Sequence, residues 1–169
     1  GCLVYGTPFE NANSLPNYVH VRKYLNDETE ENENEWRSGI NERILRYADI
    51  LLLHAECLNE LGRTAEAYPY IQEVRDRANL PDLADVRPGM SEEEMRDQLD
   101  HERALEFCFE AQRYVDLVRW GYFDDPAKVD MLIERDEEYL NWTPGKEYLA
   151  IPITETEVNQ NLEQNEGWE

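Results

Sequence analysis

The sequence has few basic residues for its length. Its 169 residues contain 16 lysines and arginines against 38 aspartates and glutamates, a formal net charge of -22. So few cations cannot neutralise a row of phosphates, which excludes nucleic acid and anionic lipid surfaces as partners. A surface this acidic, with 10 tyrosines and 4 tryptophans, suits a neutral or polar ligand better.

Cysteine is also scarce. Three cysteines give no framework of paired disulfides, and neither a CxxC pair nor a His/Cys spacing indicates a metal site. Cys57 and Cys108 lie in mostly apolar stretches and are predicted to be buried thiols. The three histidines are scattered, so no metal is predicted.

Several chemistry-bearing motifs are missing as well. No glycine-rich phosphate loop and no GxSxG sequence is present, which removes nucleotide-dependent enzymes and serine hydrolases. No cofactor is therefore predicted. No run of 18 apolar residues occurs, so no membrane-spanning helix is expected.

The residues that are present predict three regions. Residues 1–40 are interpreted as an extended lead-in, or edge strand, followed by an acidic loop at 26–35 that leaves calcium binding open as a minor alternative. Residues 41–121 are predicted as a helical core. Residues 122–169 are predicted as loops with at most one helical turn, a short extended segment, and a last short helix opened by Thr154 and Glu157.

Apolar spacing places three helices in the core region. The first is predicted over 41–61, with Gly62 ending it, and the second over 64–78, with Thr64 as its N-cap. Together they form a helical hairpin. Ser91 and Glu94 open the third helix, over 92–120. The inner face is predicted to comprise Ile44, Ala48, Leu51, Ala55, Leu58, Ala67, Ile71 and Val74.

The third helix carries the candidate chemistry in "HERALEFCFEAQRYVDLVRWG", residues 101–121. Glu102 and Glu106 lie about 6 Å apart on one helical face, which is compatible with a glycosidase pair. Arg103 and Arg113 are within helical reach of these carboxylates and would hold them ionised, whereas a general acid must hold a proton. We therefore interpret Glu102, Arg103, Glu106 and Arg113 as a buried structural ion-pair network and predict no catalytic residue, with glycoside hydrolysis as the less favoured alternative.

Aromatic residues in the predicted loops are the candidates for ligand binding. An exposed ring flanked by hydrogen-bonding groups can stack on the apolar face of a sugar. The alternative is that these rings fold back onto the helices as packing. The candidates are Trp36, Tyr139, Trp142 and Tyr148.

Four segments, in order, resemble the SusD/RagB family of glycan-binding outer-membrane lipoproteins. "RYADILLLHAECLNELG" (46–62) resembles its Arg-Tyr-Ala-Asp helix, and "VRDRANLP" (74–81) is similar to the end of the helix that follows. The 101–121 segment matches the family's Glu-Arg, Glu-Leu-x-x-Glu-Gly and Arg-Tyr-x-Asp-Leu-x-Arg-Trp pattern, and "YLAIPITETEVNQNLEQNEGW" resembles its Ile-Pro to Asn-x-Gly-Tyr ending. The resemblance covers roughly 18–168, with departures at Phe107, Ala111 and Trp168.

This resemblance implies a mainly α-helical fold of hairpins and long irregular loops, the C-terminal segment of a SusD-like protein spanning 1–169. It also implies non-catalytic capture of an oligosaccharide or polysaccharide at the bacterial surface and delivery to a TonB-dependent outer-membrane transporter. The export signal, the lipid anchor and the N-terminal part that packs beside this segment are expected upstream. A tetratricopeptide-like protein-interaction module is the alternative, because the first hairpin is similar to one such unit.

Overall fold

The computed structural model describes residues 3–4, 7–8, 23, 41 and 43–168. They belong to two compact units, with the division between Glu110 and Ala111. This division falls inside the region 41–121 that the sequence indicated as one helical core. None of the described helices is long and apolar enough to cross a membrane.

Near the start of the chain, a two-residue strand β1 (Leu3–Val4) pairs antiparallel with β2 (Thr7–Pro8). This agrees with the extended backbone predicted for the lead-in. The acidic run at 26–35, and with it the calcium alternative, lies outside the described residues.

The predicted hairpin is confirmed. Helix α1 (Tyr47–Glu60) is followed by α2 (Thr64–Arg77). Gly62, with φ of 72°, takes the left-handed conformation that lets the chain reverse after α1. The start of α1 was predicted six residues too early, and Ile44 is exposed rather than on the inner face. Arg46 is extended at the N-cap, which keeps the preceding residues out of the helix.

The core of the first unit lies between this hairpin, the short helix α3 (Leu83–Val86) and α4 (Glu92–Glu106). The capping box at the start of α4 is confirmed: the Glu94 N–H donates to the Ser91 hydroxyl and the Ser91 N–H donates to the Glu94 carboxylate. This contact lowers the pKa of Glu94. The buried apolar residues include Leu52, Ala55, Leu58, Ala67, Ile71, Val74, Leu83, Met95 and Leu99.

The third predicted helix is not continuous, and that prediction was wrong. After α4, residues 107–111 form a turn in which Phe109 and Ala111 have φ of 64° and 59°. The turn buries Phe107 in contact with two guanidinium groups, and this tertiary contact overrides the helical spacing. Phe109 is consequently exposed, and it does not share a helical face with Glu102.

The second unit contains more helix than the sequence indicated. Its elements are α5 (Gln112–Arg119), a 3-10 helix (Tyr122–Asp124), α6 (Pro126–Arg135), a second 3-10 helix (Glu137–Asn141) and α7 (Ile153–Val158). Asp125 caps α6 by accepting from the Ala127 N–H at 3.0 Å, with Pro126 at the first helical position. The buried core of this unit comprises Leu117, Tyr122, Phe123 and Leu132.

Two predicted helix caps, and the predicted burial of two cysteines, were wrong. Thr64 is the first residue of α2, and its hydroxyl donates to the Asn59 side chain rather than capping the helix. The last helix begins at Ile153 without a side-chain cap, so Thr154 does not open it. Cys57 and Cys108 are exposed free thiols, because Cys57 is on the outer side of α1 and Cys108 is in the turn after α4.

Candidate functional site

Glu102 is buried at the centre of the first unit. Its carboxylate forms a salt bridge with the Arg75 guanidinium of α2, and the side-chain amide of Gln98 donates to it at 2.7 Å. Arg75 also donates to the carbonyl of Pro81 at 3.1 and 3.2 Å. The carboxylate therefore connects α4 to α2 and to the loop that follows α2.

Glu106 and Glu110 share one arginine that precedes α1. The Arg46 guanidinium donates to the Glu106 carboxylate at 2.8 Å and to both Glu110 oxygens at 2.7 and 2.8 Å. Arg77 pairs with Glu106, and Lys23 pairs with Glu110. Burial and the neighbouring Arg46 charge lower the pKa of Lys23. Both carboxylate side chains are less than a tenth exposed.

Arg103 points to α1, where it donates to Asp49 at 2.7 Å in a pair that is buried on both sides. The Arg103 and Arg46 guanidinium carbons each lie 4.9 Å from the Phe107 ring centroid. Arg113 lies in the second unit, with its guanidinium carbon 5.8 Å from the Tyr122 ring centroid. The acidic partner of this network lies on α1, and its basic partners lie before α1 and on α2. The 101–121 segment alone could not predict them.

The two candidate carboxylates act as hydrogen-bond acceptors for arginine side chains. Glu102 and Glu106 each accept charge-assisted hydrogen bonds from guanidinium groups, which are among the strongest that a carboxylate makes. The pair is thus occupied by fixed cations from neighbouring elements of its own unit. Among the described residues, no group of three or more His, Cys, Asp or Glu side chains could hold a metal ion.

Tyr139 and Trp142 pack onto the core of the second unit. The Trp142 ring stacks on Phe123 with centroids 5.4 Å apart, and the Tyr139 ring lies 6.4 Å from the same ring. Both side chains are partly buried, and burial raises the pKa of Tyr139. The Trp142 indole N–H is buried without a hydrogen-bond partner among the described residues. Their proposed contact with ligand stays a prediction.

Tyr148 is an exposed aromatic in this unit, with 57% of its surface accessible. Its neighbour in space is Trp168, which the sequence reasoning did not select. The Trp168 indole N–H donates to the Tyr148 carbonyl at 2.8 Å, and the Lys146 ammonium lies 4.8 Å from the Trp168 ring centroid. The two rings therefore sit on a backbone with fixed geometry. Trp36, the fourth aromatic candidate, lies outside the described residues.

The segment carrying Tyr148 is held by the C-terminal tail. The Gln164 side-chain amide bonds to both the N–H and the C=O of Ile151, each at 2.8 Å, as a neighbouring strand would. Asn165 donates to the Leu149 carbonyl at 2.7 Å. A Cβ on Gly145 would lie 2.2 Å from the Glu166 carbonyl oxygen, so only glycine fits there. The sequence signal for this contact was the polar "NQNLEQNEGW" ending.

Comparisons with known proteins agree with this architecture. The SusD family profile matches residues 5–168. Among curated relatives, SusD-like protein P25 of Formosa agariphila is 32% identical over 152 residues, which cover 86% of this chain and 27% of that protein. SusD-like protein P2 of the same organism is 30% identical over 166 residues, covering 94% and 32%.

A solved structure is also similar. The crystal structure of a SusD superfamily protein from Bacteroides vulgatus superimposes with a TM-score of 0.81 at 34% identity, covering 99% of this chain and 37% of that one. The chain thus spans roughly a third of the length of these relatives. Since the family profile covers nearly all of its residues, the chain belongs to the SusD family.

Proposed function

We propose that this chain is part of a surface protein that binds a glycan without chemically altering it and delivers it to a TonB-dependent transporter of the outer membrane. The observation that carries the proposal is its membership of the SusD family over residues 5–168. The acidic charge of -22 favours a neutral oligosaccharide or polysaccharide over a polyanionic one. A lipid anchor supplied upstream would hold the protein at the cell surface.

The ion pairs of the first unit support binding without catalysis. The Glu102 and Glu106 carboxylates form ion pairs with Arg75, Arg46 and Arg77 of their own unit, and both are buried there rather than open to a substrate. An inverting or retaining glycosidase needs one protonated and one free carboxyl group beside the scissile bond. The pair therefore has a structural role in this proposal.

Tyr148 is the best-placed of the three aromatic candidates that the structure describes for contact with a glycan. It is exposed, it belongs to a loop tied by Gln164 and Asn165, and its backbone carbonyl is fixed by Trp168. A ring on a backbone held in this way can meet a sugar without ordering of the loop. Trp142 and Tyr139 pack on Phe123 in the core of the second unit and are less exposed than Tyr148.

A panel of neutral polysaccharides tests the proposal by retardation of the protein in gels that contain each glycan. We expect at least one glycan to retard the wild type, and Tyr148→Ala to weaken the retardation. Leu149→Ala is the control, because Leu149 is also exposed in the same loop but has no ring. Failure of every glycan to retard the wild type contradicts the proposal, and an equal effect of both variants contradicts the role of Tyr148.

A further inference from the structure

A cavity in the first unit lies beside the turn of the α1–α2 hairpin. Its volume is about 440 Å³, and its wall includes residues of both helices and of the turn. Ligand pockets commonly measure roughly 300–1,000 Å³, so this cavity can hold a small ligand. We call it the hairpin pocket; its wall contains His54, Leu58, Arg63, Glu66, Pro69 and Tyr70.

One side of the hairpin pocket is apolar with a polar edge. Leu58 is buried and Pro69 lies inside α2, and both contribute carbon atoms to the wall. Proline has no N–H, so Pro69 cannot donate the helical hydrogen bond to the carbonyl of Ala65, which also lines the pocket. A hydrogen-bond acceptor is thus placed beside an apolar surface.

Two aromatic rings, one from each helix, pack edge to face beside the pocket. The His54 and Tyr70 rings are 4.4 Å apart between centroids, with an interplanar angle of 82°. This edge-to-face arrangement fixes both rings, each of which has a polar tip. Tyr70 is half-buried and His54 is exposed, so the pair extends from the hairpin core to the solvent.

The charged groups of the pocket wall neutralise each other. Arg63 donates two hydrogen bonds to the Glu66 carboxylate, at 2.7 and 2.6 Å. Glu66, and to a lesser extent Tyr70, raise the pKa of Arg63, while Arg63 lowers the pKa of Glu66. The wall therefore offers the hydrogen-bonding groups of an exposed ion pair, and Arg63 and Glu66 together carry no net charge.

We propose that the hairpin pocket binds one or two hexose units of a neutral glycan, as a second contact separate from the Tyr148 loop. A hexose has an apolar face for the Tyr70 and His54 rings and a rim of hydroxyls for the Arg63–Glu66 pair. A free anion would need an unpaired cation and would meet a protein of net charge -22. This inference rests on the proposed function, because it assigns a further site to the same class of ligand.

Titration of the chain with neutral disaccharides tests the pocket directly. The readouts are the NMR signals of the His54 and Tyr70 rings, followed at millimolar sugar. We expect at least one disaccharide to shift both signals saturably, and Tyr70→Ala and His54→Gln each to weaken its affinity by about tenfold. Because His54 is exposed, the second variant keeps the measurement valid if Tyr70→Ala does not fold.

Tyr47→Ala is the matched control, since Tyr47 is an exposed tyrosine of α1 outside the pocket wall. The inference is overturned if no disaccharide shifts the two ring signals, or if Tyr47→Ala weakens the affinity as much as the pocket variants do. If a polysaccharide still shifts signals of the Tyr148 loop in that case, the proposed function stands and only the pocket fails. If no glycan shifts any signal, both fail.

Discussion

The two units of the molecule are stabilised by different means. The first buries aliphatic side chains of α1, α2 and α4 and adds ion pairs such as Arg103–Asp49 inside that core. The second buries a smaller cluster around Phe123 and ties its loops by side-chain amides, of which Gln164 is the clearest. A regular helical part and an irregular loop part of one chain are thus stabilised by different interactions.

The largest effect is expected from breaking a buried ion pair of the first unit. Arg103→Met should lower the free energy of unfolding by roughly 3–5 kcal/mol, because it leaves the Asp49 charge buried without a partner. Arg96→Met is the matched control: its pair with Glu60 is about half exposed on both sides and should cost less than about 1 kcal/mol. Urea denaturation measures both. Equal costs would contradict the structural role assigned to the buried pairs.

A matched leucine truncation compares the two cores. Leu52 and Leu117 are both fully buried, one in each unit. Leu52→Ala should cost about 4 kcal/mol and Leu117→Ala about 2 kcal/mol, because the smaller, loop-rich surroundings of Leu117 can relax around the cavity. Thermal and urea unfolding of the two variants provide the comparison. A larger cost for Leu117→Ala would contradict the expectation that the surroundings of Leu117 relax around the cavity more than those of Leu52.

A glycine substitution tests the turn where the two units meet along the chain. Ala111 has φ of 59°, which costs a residue with a Cβ about 1 kcal/mol relative to glycine. Ala111→Gly should therefore raise the free energy of unfolding by about 1 kcal/mol. Ala104→Gly, the same change inside α4, should lower it by about 1 kcal/mol. If both variants shift stability in the same direction, the left-handed conformation of Ala111 is contradicted.

The smallest effect concerns alkaline pH in the second unit. Burial raises the pKa of Tyr139 above its ordinary value of 10.0. As pH rises, the unfolded chain therefore loses the Tyr139 phenol proton before the folded chain does. The contribution of Tyr139 to the free energy of unfolding is thus fully present below pH 10.0 and declines as pH rises toward the folded pKa. Tyr139→Phe should remove less than about 1 kcal/mol of that alkaline decline, measured by urea unfolding.

Sequence patterns predicted the hairpin and the start of α4 because their determinants are local. Leu51, Ala55 and Leu58 follow helical spacing, Gly62 supplies the left-handed turn, and Ser91 meets Glu94 three residues later. Each of these signals lies within a few residues of the structure that it specifies, so one sequence was sufficient.

The break after α4 could not be predicted because its cause is distant along the chain. Phe107 ends the helix in contact with Arg46, which precedes α1 by one residue. The two hydrogen bonds between the Gln164 side chain and the Ile151 backbone are likewise not predicted by the spacing of apolar residues. For the candidate site, the charged residues of α4 were identified from spacing, but their partners Arg75, Arg77 and Asp49 lie on other helices.

We propose that the α4 carboxylates stabilise the fold and that glycan binding takes place elsewhere without hydrolysis. Glu106→Gln tests it most directly, with the melting temperature, the affinity for the retained glycan and the release of reducing ends measured on the same samples. We predict a lower melting temperature, an affinity within about twofold of the wild type, and no reducing ends from either protein. Reducing ends released by the wild type and lost in a variant of unchanged melting temperature would contradict the claim.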